Sequence, residues 1–293
     1  MKSVWITLLF CLPSVAAPPV ARHALAPVPG MTRAGLVVAA HPHHPVATLV
    51  LAPGSNGDGE GMTTDAHWIR FAENKRLMLV GLAFASSTDA LHDGTGYYYA
   101  SKGSGKLLLD ALDRLTGKPL PVLLYGFSGG AHFTARFAEW KPERVTAWCA
   151  YSAGWWDTPV PSSSHPFGII ACGESDGRLG ASLFYFKAGR AVGRPWLWVG
   201  VPGSAHVQDA RVAAFARDAF AVVLDGMPQP DTRGRGQTTE HADKRNTGRG
   251  GWVDIEDKTI AATDLPLRQP TLAGWLPDMS LFPKWQALMA AED

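Results

Sequence analysis

Residues 123–137 read "LLYGFSGGAHFTARF". An apolar run breaks at Gly126, bares Ser128 between glycines, and continues as an amphipathic pattern of helical period. Gly126-Phe127-Ser128-Gly129-Gly130 fits G-x-S-x-G, and it does so in the setting that gives the pattern meaning: strand, tight turn, helix. Such a turn forces the serine into a strained backbone conformation, and the glycines two residues to either side remove side chains that would collide. The hydroxyl is lifted clear of the sheet beside the positive end of the following helix. The N–H of Gly129 is then free to face a developing oxyanion.

The neighbouring segments supply the fold. "RLMLVGLAF", "LPVLLYGFS", "RVTAWCAYSAG", "FGIIACGESD" and "PWLWVGVPGSAH" are apolar on both faces. They alternate with the helical patterns "TTDAHWIRFAENK", "SKGSGKLLLDALDRLTGK", "GGAHFTARFAEW", "ASLFYFKAGRAV" and "VQDARVAAFARDAFAVVL". Buried strands alternating with helices predict an α/β three-layer sandwich with a mostly parallel central sheet covered on both sides. Ligands are then expected beyond the carboxyl ends of the strands. "GLVVAA" and "VATLVLAPG", joined across "HPHHP", read as a hairpin after an irregular Pro-rich lead. Residues 17–226 form the expected catalytic domain, and 227–293 a C-terminal extension. That extension begins with a Gly-, Thr- and charge-rich connection over 231–251, has a small hairpin at "GWVDIEDKTI", and ends in a helix at "LFPKWQALMAAED".

A serine hydroxyl is a poor nucleophile until a base takes its proton, so a histidine and a carboxylate are required. In a sheet of this kind they follow the serine in the order acid, then histidine, each in a loop after a later strand. Asp176 in "IIACGESDGR" and His206 in "LWVGVPGSAH" stand at those places. Glu174 competes for the acid, but starts closer to the strand end. His132, one helical turn past Ser128, would have to reach back over its own helix and suits packing or the rim of the site. The four residues His41-Pro42-His43-His44 suit a turn better than a metal site, so no metal is expected. His92 has no carboxylate partner with a clear part to play, and its Gly-rich surroundings lack the spacing of a phosphate loop. A second oxyanion donor is expected from "LVLAPGSNGDGEG", with the N–H of Ser55 first and Asn56 next.

Composition narrows the field. The 293 residues are 46% hydrophobic and 18% charged, with a net charge of +1. That is a packed globular chain without the basic excess that would draw it to nucleic acid or to anionic lipid. "MKSVWITLLFCLPSVAA" has a lysine, an apolar stretch over 4–12 and small residues at 14–16, and so predicts a signal peptide over 1–16. The apolar stretch is too short to span a bilayer. A secreted or periplasmic protein without stable membrane insertion is expected. Cys149 and Cys172 fall in what read as neighbouring strands, where disulfide geometry is poor, and are expected as buried free thiols.

At this point the residues resemble a known group. "YGFSGGAHFTARFAEWKPERVTAWCAYSAGWW", "GESDGR" and "GSAH" are similar to segments of the α/β-hydrolase superfamily, within it to secreted esterases such as polyhydroxybutyrate depolymerases and feruloyl esterases. The likeness covers roughly residues 45–225; Pro53-Gly54 stands where many relatives have His-Gly, and the tail matches nothing in the group. The resemblance implies a Ser-His-Asp ester hydrolase that needs no cofactor. Only "YSAGWWDTPVPSSSHP" separates two successive strands, where larger relatives insert a helical lid. An open site suits a bulky or polymeric ester better than a sequestered lipid chain, with Trp155 and Trp156 as an aromatic lining. A serine peptidase of the same fold would usually carry a larger gating domain, and a non-catalytic binding protein would commonly lose one of the three residues.

Overall fold

The computed structural model describes residues 20–161, 165–227 and 249–290. The expected signal segment 1–16 and most of the 231–251 connection lie outside the described residues. The strands in chain order are β1 (Ala21–Ala24), β2 (Met31–Arg33), β3 (Gly35–Ala40), β4 (Ala47–Ala52), β5 (Leu77–Leu82), β6 (Ala85–Ser86), β7 (Val122–Phe127), β8 (Val145–Tyr151), β9 (Phe167–Gly173), β10 (Trp196–Val201), β11 (Gly251–Asp254), β12 (Thr259–Ile260) and β13 (Ala273–Leu276). The helices are α1 (Glu60–Thr63), α2 (Ala66–Asn74), α3 (Ser104–Thr116), α4 (Gly129–Trp140), α5 (Leu179–Ala191), α6 (Ala210–Asp225), α7 (Leu265–Arg268) and α8 (Phe282–Met289).

Among the described residues, eight strands form one sheet in the order β1-β3-β5-β4-β7-β8-β9-β10. Pairing is parallel from β5 through β10 and antiparallel only where β1 and β3 join. Every residue of β4, β5, β9 and β10 is buried, as expected of strands covered on both faces. Helices α3, α4 and α5 pack on one face; α2 and α6 pack on the other, where Arg217 of α6 lies over the Trp68 ring of α2. The Asp65 side chain accepts from the N–H groups of His67 and Trp68, and Asp209 accepts from Arg211, so both helices on that face start with an acidic cap.

Two local expectations are corrected. Strands β3 and β4 do not form a hairpin: β5 lies between them, antiparallel to β3 (Leu36 opposite Leu82) and parallel to β4 (Leu49 opposite Leu79). A central strand apolar on both faces needs a partner on each edge, and nothing in the short turn at 41–46 reveals that the partner comes from thirty residues downstream. The Pro-rich lead is not irregular throughout. β1 closes the sheet edge beside β3, and β2 pairs with β6.

The described part of the tail covers the opposite edge. The predicted hairpin is β11 with β12, and β13 adds a third strand that the sequence reading did not foresee. The Trp285 indole N–H donates to the Trp198 carbonyl at 2.8 Å, and the Gly200 N–H points at the Met289 sulfur at 2.9 Å. Trp198 and Gly200 alternate along the free edge of β10, so α8 occupies backbone groups that would otherwise invite another strand. Trp285 is fully buried in the process. Cys149 and Cys172, on adjacent strands, are buried free thiols.

Candidate active site

Strand β4 has β5 on one side and β7 on the other, so the chain order reverses between β4 and β7. A crevice opens at the carboxyl ends of strands at such a point. The loop after β4 brings Ser55, and the turn after β7 brings Ser128; the loops after β9 and β10 bring Asp176 and His206.

Ser128 has φ +51° and ψ −115°, a conformation L-residues rarely adopt. Close packing on both sides enforces it. A Cβ at Gly126 would collide with the Gly130 carbonyl and the Thr134 hydroxyl, and one at Gly130 would enter the Ala52 carbonyl on β4. Both glycines of the pattern are thus required by backbone contact. The Ser128 N–H is tied to the Tyr151 carbonyl of β8 at 2.8 Å.

From this turn the Ser128 hydroxyl lies 3.0 Å from His206 Nε2, and His206 Nδ1 lies 2.8 Å from Asp176 Oδ2. Phe127 stacks on the imidazole with ring centres 5.0 Å apart, which limits its rotation. The Asp176 side chain is completely buried. Its other oxygen accepts from the backbone N–H of Arg178 at 3.1 Å and from the Arg178 guanidinium at 3.2 Å. Burial pushes this carboxyl up, but hydrogen bonds from His206, Ser152 and the Arg178 amide outweigh it and hold the pKa below its ordinary value. Glu174 is exposed and lies on the β10 side, where its Oε1 approaches Gly200.

Ser55 reaches Gly129: a Cβ built there would lie 2.5 Å from the Ser55 hydroxyl and 2.6 Å from that of Tyr97. The Asn56 side chain is committed elsewhere, its carbonyl accepting from the Ser86 N–H and its amide donating to the Ser86 carbonyl. Asn56 therefore pins the loop that carries Ser55. Tyr97 is the residue that sequence reasoning missed. Its buried hydroxyl has no hydrogen-bond partner, and burial drives its pKa well up. It lies in the Gly-rich stretch weighed above only as a phosphate loop.

The two tryptophans part company. Trp155 is 53% exposed and faces the rings of His92 and His132. Trp156 turns inward and stacks on Tyr185 at 4.3 Å, so the two rings do not form one exposed platform, although both border the same small cavity. His132 is 4% exposed, and its Nε2 accepts from the Gly154 N–H at 3.2 Å. Burial, with the Arg136 charge beside it, lowers its pKa to about 3. In an unfolded chain the same group takes up a proton near pH 6.5, so stability supplied by neutral His132 is lost as pH falls from 6.5 toward 3. His132→Gln keeps an acceptor for Gly154 and does not titrate. Between pH 7 and pH 5 the wild-type protein should lose about 2 kcal/mol more unfolding free energy than this variant, measured by urea denaturation. Parallel losses would show that His132 does not stay neutral in the folded state.

No family model matches this sequence, and no curated protein matches it. Solved structures do match its fold. One is poly(aspartic acid) hydrolase-1 from Sphingomonas sp. KT-1, 19% identical, with a TM-score of 0.53 over 69% of this chain and 98% of that one. A ferulic acid esterase is 12% identical, with a TM-score of 0.52 over 71% and 96%. The S-formylglutathione hydrolase FrmB from Staphylococcus aureus is 16% identical, with a TM-score of 0.50 over 71% and 98%. With its mostly parallel sheet, helices on both faces and, among the described residues, no large lid domain, the chain has the α/β-hydrolase fold.

Proposed function

We propose that the chain hydrolyses carboxylic esters through an acyl-enzyme, with Ser128 as nucleophile, His206 as base and Asp176 as the group that orients and stabilises the imidazolium. The observation that carries this reading is the unbroken relay from Asp176 to His206 to Ser128 at 2.8 and 3.0 Å, at the end of a strained turn. His206 Nε2 takes the hydroxyl proton as Ser128 Oγ attacks the ester carbon. The carbonyl oxygen becomes an oxyanion facing the N–H groups of Gly129 and Ser55. The protonated His206 then gives its proton to the departing alkoxide, leaving an alcohol and an acyl group on Ser128. Water attacks this second ester, His206 again takes and returns the proton, and the acid departs. All atoms and charges balance without a cofactor.

In this reading the exposed Trp155, beside His132, flanks an entering acyl or alcohol group. Between β8 and β9 the chain has no helix among the described residues, which leaves room for a bulky or polymeric ester as well as a small one. Action after export rests on the lysine, the apolar segment 4–12 and the small residues 14–16. Among the described residues no helix is long and apolar enough to cross a membrane.

The test is a panel of chromogenic acyl esters and matched peptide amides offered to the purified protein. Ester turnover well above amide turnover is expected. Amide cleavage without ester cleavage would replace the esterase reading with a peptidase, and no turnover of either would leave only the fold.

A further inference from the structure

One face of α4 leads away from the nucleophile. His132 and Arg136 follow Ser128 at intervals of four residues, so they lie on one stripe, roughly 6 and 12 Å along the helix from it. Against this stripe Trp155, Trp156 and Asp157 border a small cavity, also lined by Glu139 and Tyr185, with room for one oxygen-sized atom. Three buried nitrogens around it have no partner: His132 Nδ1, Arg136 Nη1 and Trp156 Nε1. The indole and guanidinium nitrogens can only donate. His132 is in the same position, because its Nε2 accepts from Gly154 and a neutral ring must then carry its proton on Nδ1. The Trp155 carbonyl lies near this ring but outside hydrogen-bonding geometry.

Unpaired buried donors are costly, and three at one cavity call for an acceptor. The acidic neighbours do not supply it. Asp157 is held by Nε and Nη2 of Arg136 at 2.9 and 2.8 Å, and Glu139 by Arg194 at 2.6 Å. Of the remaining lining only the Tyr185 hydroxyl could accept, and no hydrogen bond joins it to these three donors among the described residues.

We propose that this cavity receives one oxygen of a carboxylate carried by the substrate, so that esters bearing a second, ionised acid group are preferred. A carboxylate oxygen can accept from all three donors, whereas a neutral alkyl chain would leave them unpaired. The separation of roughly 6 Å or more from Ser128 fits a straight diacid of about six carbons, esterified at one end. The inference rests on Ser128 as the nucleophile, since it sets the end of the substrate from which the distance is measured.

Methyl hydrogen adipate and methyl hexanoate have the same acyl length and differ in the terminal carboxylate. Acid release at constant pH should give a kcat/KM at least about tenfold higher for the adipate half-ester. In Trp156→Phe, which keeps the ring on Tyr185 but lacks the N–H, and in Arg136→Gln, the ratio should fall toward one. Trp156→Phe decides the matter if the arginine variant does not fold. A wild-type ratio of one or less, or a ratio unchanged in Trp156→Phe, overturns the proposal and leaves the cavity as a place for water. A second readout does not depend on turnover. The adipate half-ester should raise the Tm of the Ser128→Ala protein, and methyl hexanoate should not. Absence of that shift also overturns the carboxylate site, whereas failure to hydrolyse either ester, with the shift present, counts against Ser128 instead.

Discussion

Replacing Ser128 by alanine should lower kcat for a good ester by on the order of 10⁶-fold, the scale on which serine hydrolases lose activity with their nucleophile. The argument is geometric. The hydroxyl makes one hydrogen bond among the described residues, to His206, so its removal leaves no other group unpaired. The strained turn is enforced by the packing of Gly126 against Gly130 and of Gly130 against β4, neither of which involves the serine side chain. The fold should therefore persist, with an unchanged circular dichroism spectrum and a Tm within a few degrees of wild type. Residual turnover of more than about one per cent would mean that another nucleophile serves the site.

Asp176→Asn should lower kcat by roughly 10⁴-fold, because an amide at this position no longer specifies the proton on Nδ1. With that proton moved to Nε2, His206 cannot accept from Ser128. The variant should fold, since the amide has the same shape in the same fully buried place and can still accept from Arg178 through its carbonyl. Glu174→Gln should stay close to wild type, because Glu174 is exposed and faces β10 rather than the imidazole. Measuring both variants with one ester at pH 7 separates them. A larger loss for Glu174→Gln would move the acid to that residue.

Why these residues were legible in the sequence, and others were not, has a physical basis. The strands of a parallel sheet carry their own burial in their composition, and functional loops follow their carboxyl ends. Ser128, Asp176 and His206 could therefore be placed by counting strands. Strand partners are different, because pairing is decided by segments distant in sequence. Nothing in "GLVVAA" and "VATLVLAPG" announces that Leu77–Leu82 will part them. The role of the tail was hidden for the same reason. Trp285 and Met289 meet backbone groups of β10 almost ninety residues earlier. Tyr97 was obscured by the glycines around it, which drew attention to phosphate chemistry and away from a buried phenol.

The central claim is that Ser128 is an activated nucleophile. Fluorophosphonate labelling of the folded protein, followed by mass spectrometry of the peptide that contains residues 123–137, tests it most directly. The account predicts a single phosphonyl adduct on Ser128, formed within minutes at neutral pH and absent from the Ser128→Ala protein. An adduct on another residue, or an unlabelled Ser128 in a protein that still hydrolyses esters, would contradict it.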